Sequence, residues 1–205
     1  AKMLATLKSA LQLNLSKKEV SQLREKEKGL KSEINREQKF IVGSSPQLMQ
    51  VLNLVRKVAK TDANVLITGE NGTGKELIAQ EIHRLSNRSQ EVLVSVDMGA
   101  ITETLFESEL FGHVKGAFTD ARESRAGKFE VADKGSLFLD EIGNLSFHLQ
   151  AKLLAAIQNR QISRIGSNQT IPVDIRLICA TNKNLENMVR EGLFREDLLY
   201  RINTI

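Results

Sequence analysis

Apolar residues follow two different rhythms along the chain, and the change falls near residue 38. Ahead of it, Leu4, Leu7 and Leu11, then Val20, Leu23, Leu30 and Ile34, recur at mostly helical spacing among Lys, Glu, Ser and Gln, with Gly29 the one breaker. Ser16-Lys17-Lys18-Glu19 has the form of a capping box, which predicts that a first helix ends near Leu13 and a second begins there. Two readings of residues 1–38 fit this pattern: a coiled-coil connector or dimerisation helix, and a pair of amphipathic helices packed on another domain. From Phe40 onward the pattern predicts helices at about Pro46–Lys60, Glu76–Leu85, Glu103–Leu110 and Ser146–Asn159. Between them lie short apolar, β-branched runs at Asn64–Thr68, Val92–Val96, Ser136–Leu139 and Ile175–Cys179, read as strands. Apolar strands that alternate with helices predict an α/β fold around a mainly parallel sheet covered on both faces. The run QISRIGSNQTIP, Gln161–Pro172, predicts a β-hairpin.

One loop breaks the polar rule for connections. In GHVKGAFTDARE, residues 112–123, Phe118 stands among small and polar residues with nothing apolar larger than Ala117 and Ala121 close by. An apolar tip on a Gly-flanked loop points to contact with something.

Composition narrows the class without naming a function. The 205 residues suffice for one sizeable core and an extension. The net charge of +4 comes from interspersed Lys, Arg, Asp and Glu, which suits solubility better than a nucleic-acid groove. Cys179 is the single cysteine, so no internal disulfide forms, and its apolar surroundings read as a buried thiol in a reducing cytoplasm. No apolar run approaches the ~20 residues that span a membrane, and no signal-peptide pattern opens the chain. The start without Met and the end at Ile205, just after a motif-rich stretch, read as a segment excised from a longer protein.

Two stretches carry chemistry. Gly69-Glu70-Asn71-Gly72-Thr73-Gly74-Lys75 matches the P-loop pattern G-x-x-x-x-G-K, with a predicted strand before it and a helix after it. In that setting successive backbone N–H groups and the helix N-terminus surround a polyphosphate, and Lys75 reaches its outer phosphates. Glu76 stands where Ser or Thr would hold Mg²⁺, so a metal at this site depends on another carboxylate and on water. Gly135-Ser136-Leu137-Phe138-Leu139-Asp140-Glu141 supplies one: a strand ending in two acids at the carboxyl edge of a parallel sheet puts Asp140 near the metal and Glu141 near an attacking water. His83, His113 and His148 share no metal-ligand spacing and read as surface or helix-packing residues, while Phe106, Leu110 and Phe111 read as core.

Two further motifs follow: Ala180-Thr181-Asn182, after the last predicted strand, and Gly192-Leu193-Phe194-Arg195-Glu196-Asp197-Leu198-Leu199-Tyr200-Arg201. With GENGTGKE, SELFGHVKGAFTDA, GSLFLDEIG, RLICATN and FREDLLYRIN in this order, the chain from about Ile41 to Ile205 resembles the central AAA+ domain of bacterial enhancer-binding proteins, the sigma-54-dependent activators of the NtrC type. The resemblance implies a P-loop NTPase fold, an AAA+ three-layer sandwich, with a helical linker over 1–38 and an ATPase core over 39–205 that stops before a lid subdomain. It implies ATP and Mg²⁺ as cofactors. The nucleotide would be held by Gly69, Glu70, Asn71, Gly72, Thr73, Gly74, Lys75 and Glu76, this last being a residue the family shares, and its adenine by Ile41 and Val42. Asp140 would hold Mg²⁺, Glu141 would act on water, and Asn182 would sense the γ-phosphate. Arg195 and Arg201 match arginine fingers that act on ATP in a neighbouring subunit, so catalysis would need a ring, hexameric or heptameric, built from dimers. The chain alone would then bind nucleotide weakly and hydrolyse it slowly.

The loop resembles the family's GAFTGA arm, which implies that Phe118 and Thr119 contact sigma-54 RNA polymerase. Asp120 replaces the second Gly, and Asp97 replaces an Asn that restrains the catalytic Glu. Those two departures motivate a second reading, an ATP-binding, oligomerising regulator that does not engage sigma-54. A protease unfoldase or helicase loader is a third, disfavoured by the whole GAFTDA context. Residues 2–13 and the helix after them resemble the end of a two-component receiver domain and its linker, and a helix-turn-helix domain would supply contact with DNA. The implied location is the cytoplasm, with no membrane partner.

Overall fold

The computed structural model describes residues 41–99 and 103–205, together with residues 16–20, 23, 25 and 29–31. The chain divides into two units, Ala1–Glu37 and Gln38–Ile205. In the first, the described residues are helical; the predicted helix ending near Leu13 lies outside the described residues.

The second unit is the predicted α/β alternation. Helix α1 (Pro46–Ala59) is capped by Ser45, whose Oγ accepts from the Leu48 N–H, and starts on a proline whose missing N–H costs a helix nothing at that position. Strand β1 (Val65–Thr68), helix α2 (Lys75–Arg84) and strand β2 (Leu93–Asp97) follow, then helix α3 (Glu103–Phe111). A two-residue pair, β3 (Gly112–His113) and β4 (Arg125–Ala126), closes the base of the Phe118 loop and leads to the short helix α4 (Lys128–Val131). Strand β5 (Ser136–Asp140) ends in a 3₁₀ turn (Ile142–Asn144), and helix α5 (Phe147–Asn159) comes next. The predicted hairpin is present as β6 (Gln161–Ser163) and β7 (Thr170–Pro172), and β8 (Arg176–Thr181) completes the sheet. Helices α6 (Leu185–Arg190) and α7 (Glu196–Ile202) close the unit; neither was legible as a helix, because each is too short to show a period.

The central sheet has the order β1-β8-β5-β2, all parallel, with Val65 opposite Ile178, Leu137 opposite Leu177 and Asp97 opposite Asp140. The central strands β5 and β8 are apolar between their polar ends because both faces are covered. Phe138, Ile178 and Ala180 join Val55, Val58, Ala79 and Ile82 beneath α1 and α2. The alternating residues Leu137, Leu139, Leu177 and Cys179 join Phe106, Phe129, Leu149, Leu153 and Leu198 on the other face. Phe106, Leu110 and Phe111 are core, as expected, and burial pushes the Cys179 thiol far above its usual range.

Polar side chains pin the helices at the amino edge of the sheet. Arg176, fully buried at the start of β8, donates to the carbonyls of Val58 and Ala59 at 2.8 Å and of Ala63 at 3.2 Å, so a cation caps the C-terminal end of α1. His83, also fully buried, packs α2 onto β5: its Nε2 donates to the Glu91 carbonyl at 3.1 Å, leaving Nδ1 to accept from the Ser136 hydroxyl at 2.9 Å. Desolvation holds the His83 pKa below the usual histidine value, opposed by the Glu91 carbonyl, so the ring is neutral. No helix among the described residues is long and apolar enough to cross a membrane.

Candidate nucleotide-binding site and the adjoining loops

Four of the predicted site segments converge because parallel strands all end at one edge. The loop after β1 carries Gly69 to Lys75, β5 ends in Asp140 and Glu141, β8 leads into Asn182, and β2 ends in Asp97. Gly69 N–H donates to the Thr181 carbonyl at 3.2 Å, which fastens the P-loop to the end of β8. Gly72 (φ 79°) and Gly74 (φ 87°) take the left-handed turns that bring the backbone round to the first turn of α2, a conformation that disfavours any side chain. Thr73 Oγ1 donates to the Glu70 carbonyl at 2.8 Å.

Lys75 is folded back on the loop. Its Nζ donates to the carbonyls of Gly69 (3.1 Å) and Glu70 (3.2 Å) and lies 3.6 Å from Glu141 Oε1. A cation held on two carbonyls and a carboxylate is where an anionic phosphate replaces weaker partners. Glu141 Oε2 accepts from the Asn182 N–H at 3.5 Å, and Asn182 Nδ2 donates to Asn71 Oδ1 of the P-loop at 2.8 Å. Asn182 therefore touches both the phosphate loop and the acidic strand end. Glu76 is exposed and accepts from Gln80 one turn on, while Ile41 is half-buried and Val42 is 93 % exposed ahead of α1.

The Mg²⁺ donor set is sparse. Asp140 is half-buried and its Oδ1 accepts from the Glu141 N–H at 2.9 Å; among the described residues no group of three His, Cys, Asp or Glu side chains surrounds a cation position. That fits a divalent ion held through one carboxylate, phosphate oxygens and water. Asp97, in register beside Asp140, accepts from the Gly99 N–H at 2.8 Å through Oδ1, and the cation beside Glu141 is Lys75.

The two arginines have other partners than this cluster. The Arg201 carbonyl accepts from Asn64 Nδ2 at 3.0 Å, at the start of β1; at ~3.3 Å per strand residue that is about 16 Å from Gly69. Arg195 is held by Asp197 (2.9 and 2.7 Å) and over the Phe147 ring, 5.4 Å from its centroid, with Asp197 holding the guanidinium pKa above its usual value. Sequence reasoning missed Gln150, fully buried on α5, which donates to the Leu145 and Leu193 carbonyls and accepts from the Arg195 N–H at 2.8 Å. A buried Gln inside an amphipathic helix was the available signal.

Phe118 touches His113. The rings meet edge to face at 4.9 Å, and Ser108 Oγ hydrogen-bonds His113 Nδ1 at 2.7 Å, while 42 % of Phe118 stays exposed. The loop also leans on the β6–β7 hairpin: Val114 N–H donates to the Ile165 carbonyl and Ile165 N–H to the Gly112 carbonyl. Among the described residues, positive φ at non-glycine positions occurs at Lys134, Glu141 and Arg160, so Asp120 is accommodated without the left-handed backbone that glycine favours.

A parallel sheet with a P-loop after its first strand, and the acids Asp140 and Glu141 and the Asn182 amide at the same edge, makes the chain a P-loop NTPase of the α/β class. The P-loop NTPase domain of the sigma-54 transport activator from E. coli shares that fold, with a TM-score of 0.52, 19 % identity, and 78 % of this chain and 92 % of that one covered. Residues 41–205 match the sigma-54 interaction domain, and the chain belongs to that family. It is 53 % identical over 165 residues to the transcriptional regulatory protein ZraR of Salmonella typhimurium, covering 80 % of this chain and 37 % of that protein. NtrX from Brucella abortus in complex with ATP is 34 % identical with a TM-score of 0.75, covering 91 % of this chain and 41 % of that one. The chain thus spans under half the length of the regulators it matches.

Proposed function

We propose that this chain is the ATPase core of a transcription activator that remodels the sigma-54 RNA polymerase closed complex. The observation that carries the reading is the Asn71–Asn182–Glu141–Lys75 chain of contacts, which joins the phosphate loop, the acidic strand end and β8 in one network. Lys75 and the N–H groups of residues 69–76 hold the phosphates, Val42 and Ile41 cover the adenine, and Asp140 holds Mg²⁺, which neutralises phosphate charge. Glu141 orients and deprotonates water. Asn182, bonded to both sides, changes partners when the γ-phosphate leaves.

Arg195 and Arg201 act on a neighbour's ATP. The Arg201 backbone stands beside the start of β1 and the Arg195 guanidinium is engaged by Asp197 and Phe147, which supports supply in trans, and with it a ring of subunits and weak turnover by an isolated chain. Phe118 and Thr119 form the contact with sigma-54, with Phe118 resting on His113 between strokes. The unstrained backbone at Asp120 favours this reading over a regulator that ignores sigma-54. Residues 1–38 serve as the linker from a two-component receiver, and a lid subdomain and a DNA-binding helix-turn-helix complete the cytoplasmic protein.

The test is binding to isolated sigma-54 with an ATP transition-state analogue present. A stable complex is expected, and none from a competent ring contradicts the proposal. Thr119→Ala is expected to leave ATP hydrolysis near normal and to abolish open-complex formation; a parallel collapse of hydrolysis would assign the loop to the nucleotide site instead.

A further inference from the structure

Lys183 follows Asn182 and has no part in the reading above. Its N–H donates to Thr181 Oγ1 at 3.0 Å, and its side chain crosses from the end of β8 to the 3₁₀ turn after β5, where Nζ donates to the Gly143 carbonyl at 3.2 Å. The stem lies flat on that glycine. A Cβ added at Gly143 would stand 3.0 Å from Lys183 Cδ, 3.1 Å from Thr181 Oγ1 and 3.3 Å from Lys183 Cβ, so a larger residue there displaces the lysine.

The turn fastened in this way is the one that aims Glu141. Glu141 holds a left-handed backbone (φ 55°, ψ 44°), which a non-glycine residue keeps only when its surroundings impose it. On the β5 side the Asp140 carboxylate accepts from the Glu141 N–H, and within the turn the Asn144 N–H donates to the Glu141 carbonyl at 2.9 Å and the Leu145 N–H to Ile142 at 3.2 Å. Ile142 is buried in the core, Gln150 Nε2 donates to the Leu145 carbonyl, and the Glu141 carboxylate meets Lys75 and the Asn182 N–H; the tie from the end of β8 to the backbone of the turn itself is Lys183.

The geometry points to Lys183 as a positioning residue for hydrolysis: a strap that holds the Ile142–Asn144 turn against the end of β8, keeps the Glu141 carboxylate on its water, and moves that turn when Asn182 moves. This rests on the reading of Glu141 as the group that acts on water. The competing account is a surface lysine whose carbonyl contact has no effect on the site.

The two accounts separate in the intact, ring-forming protein. Lys183→Met keeps the stem and removes the ammonium; Lys183→Arg keeps a donor. For Lys183→Met, kcat for ATP is expected to fall about tenfold while KM stays within about twofold, because the phosphate-binding groups are untouched. Amide exchange at Asn144 and Leu145 is expected to quicken about tenfold, without a matching change in α2, since the turn loses its tie to β8. Lys183→Arg is expected to restore both. An unchanged kcat, unchanged exchange at the turn, or a loss confined to KM overturns the strap. Glu141→Gln serves as the control: if it hydrolyses ATP as fast as the unmodified protein, the reading of Glu141 fails, while the exchange data still judge Lys183.

Discussion

The two edges of the parallel sheet use polar residues in opposite ways. At the amino edge Arg176 and His83 are fully buried, and their contacts tie α1 to β8 and α2 to β5, with further bonds to the loop carbonyls of Ala63 and Glu91. At the carboxyl edge Lys75, Glu141 and Asn182 are bonded to one another and to loop carbonyls, in a partly open cluster that includes a left-handed Glu. Buried polar groups are costly unless satisfied, so the amino edge is built from groups that have nowhere else to go. The carboxyl edge holds contacts that a phosphate can replace. Stability and chemistry thus sit at opposite ends of the same strands.

The comparison can be broken at its strong end first. Arg176→Met removes a buried donor from the carbonyls of Val58 and Ala59 at the end of α1 and of Ala63 beyond it, and is expected to cost about 3 kcal/mol or more, read from denaturant unfolding. A loss below 1 kcal/mol (about the worth of one ordinary hydrogen bond) would show that water takes over the cap. At the other edge Glu141→Gly is expected to leave stability unchanged or raise it by up to about 1 kcal/mol, because the φ of 55° suits glycine, while hydrolysis is lost. A clear destabilisation would place Glu141 among the structural residues.

The smallest effect is a pH dependence. His83 is buried neutral, with its folded pKa below the 6.5 of a free histidine, so the unfolded chain binds the proton more readily. The stabilisation is fully present above pH 6.5 and is lost as pH falls from there through the folded value. A melting temperature that drops between pH 7 and pH 5, with part of the drop removed in His83→Gln, is the expected result. A slope identical in the two proteins would assign it to the carboxylates instead.

The arm and hairpin show where linear reading stops. Phe118 was legible as an apolar tip, but its partner His113 is reached only because β3 pairs with β4 and folds the loop back over α3. Likewise the P-loop and the acidic pair were legible as separate motifs, whereas the Asn71–Asn182 bond joins residues far apart in the chain. Gln150 and Arg176 were missed for one reason: a polar residue in an apolar element looks like noise until its carbonyl partners are placed around it.

By itself the amino-acid sequence determined the alternation of strands and helices, both chemical motifs and the family, because periodicity and short-range spacing are local properties of a chain. Only the tertiary structure decided which strand ends stand side by side, that Arg195 rests on Asp197 and Phe147, and that Lys183 reaches Gly143. The first and last of those facts depend on the order β1-β8-β5-β2, in which strands distant in sequence become neighbours. Parallel pairing then carries every carboxyl end to one edge, where residues chosen separately along the chain meet as one site.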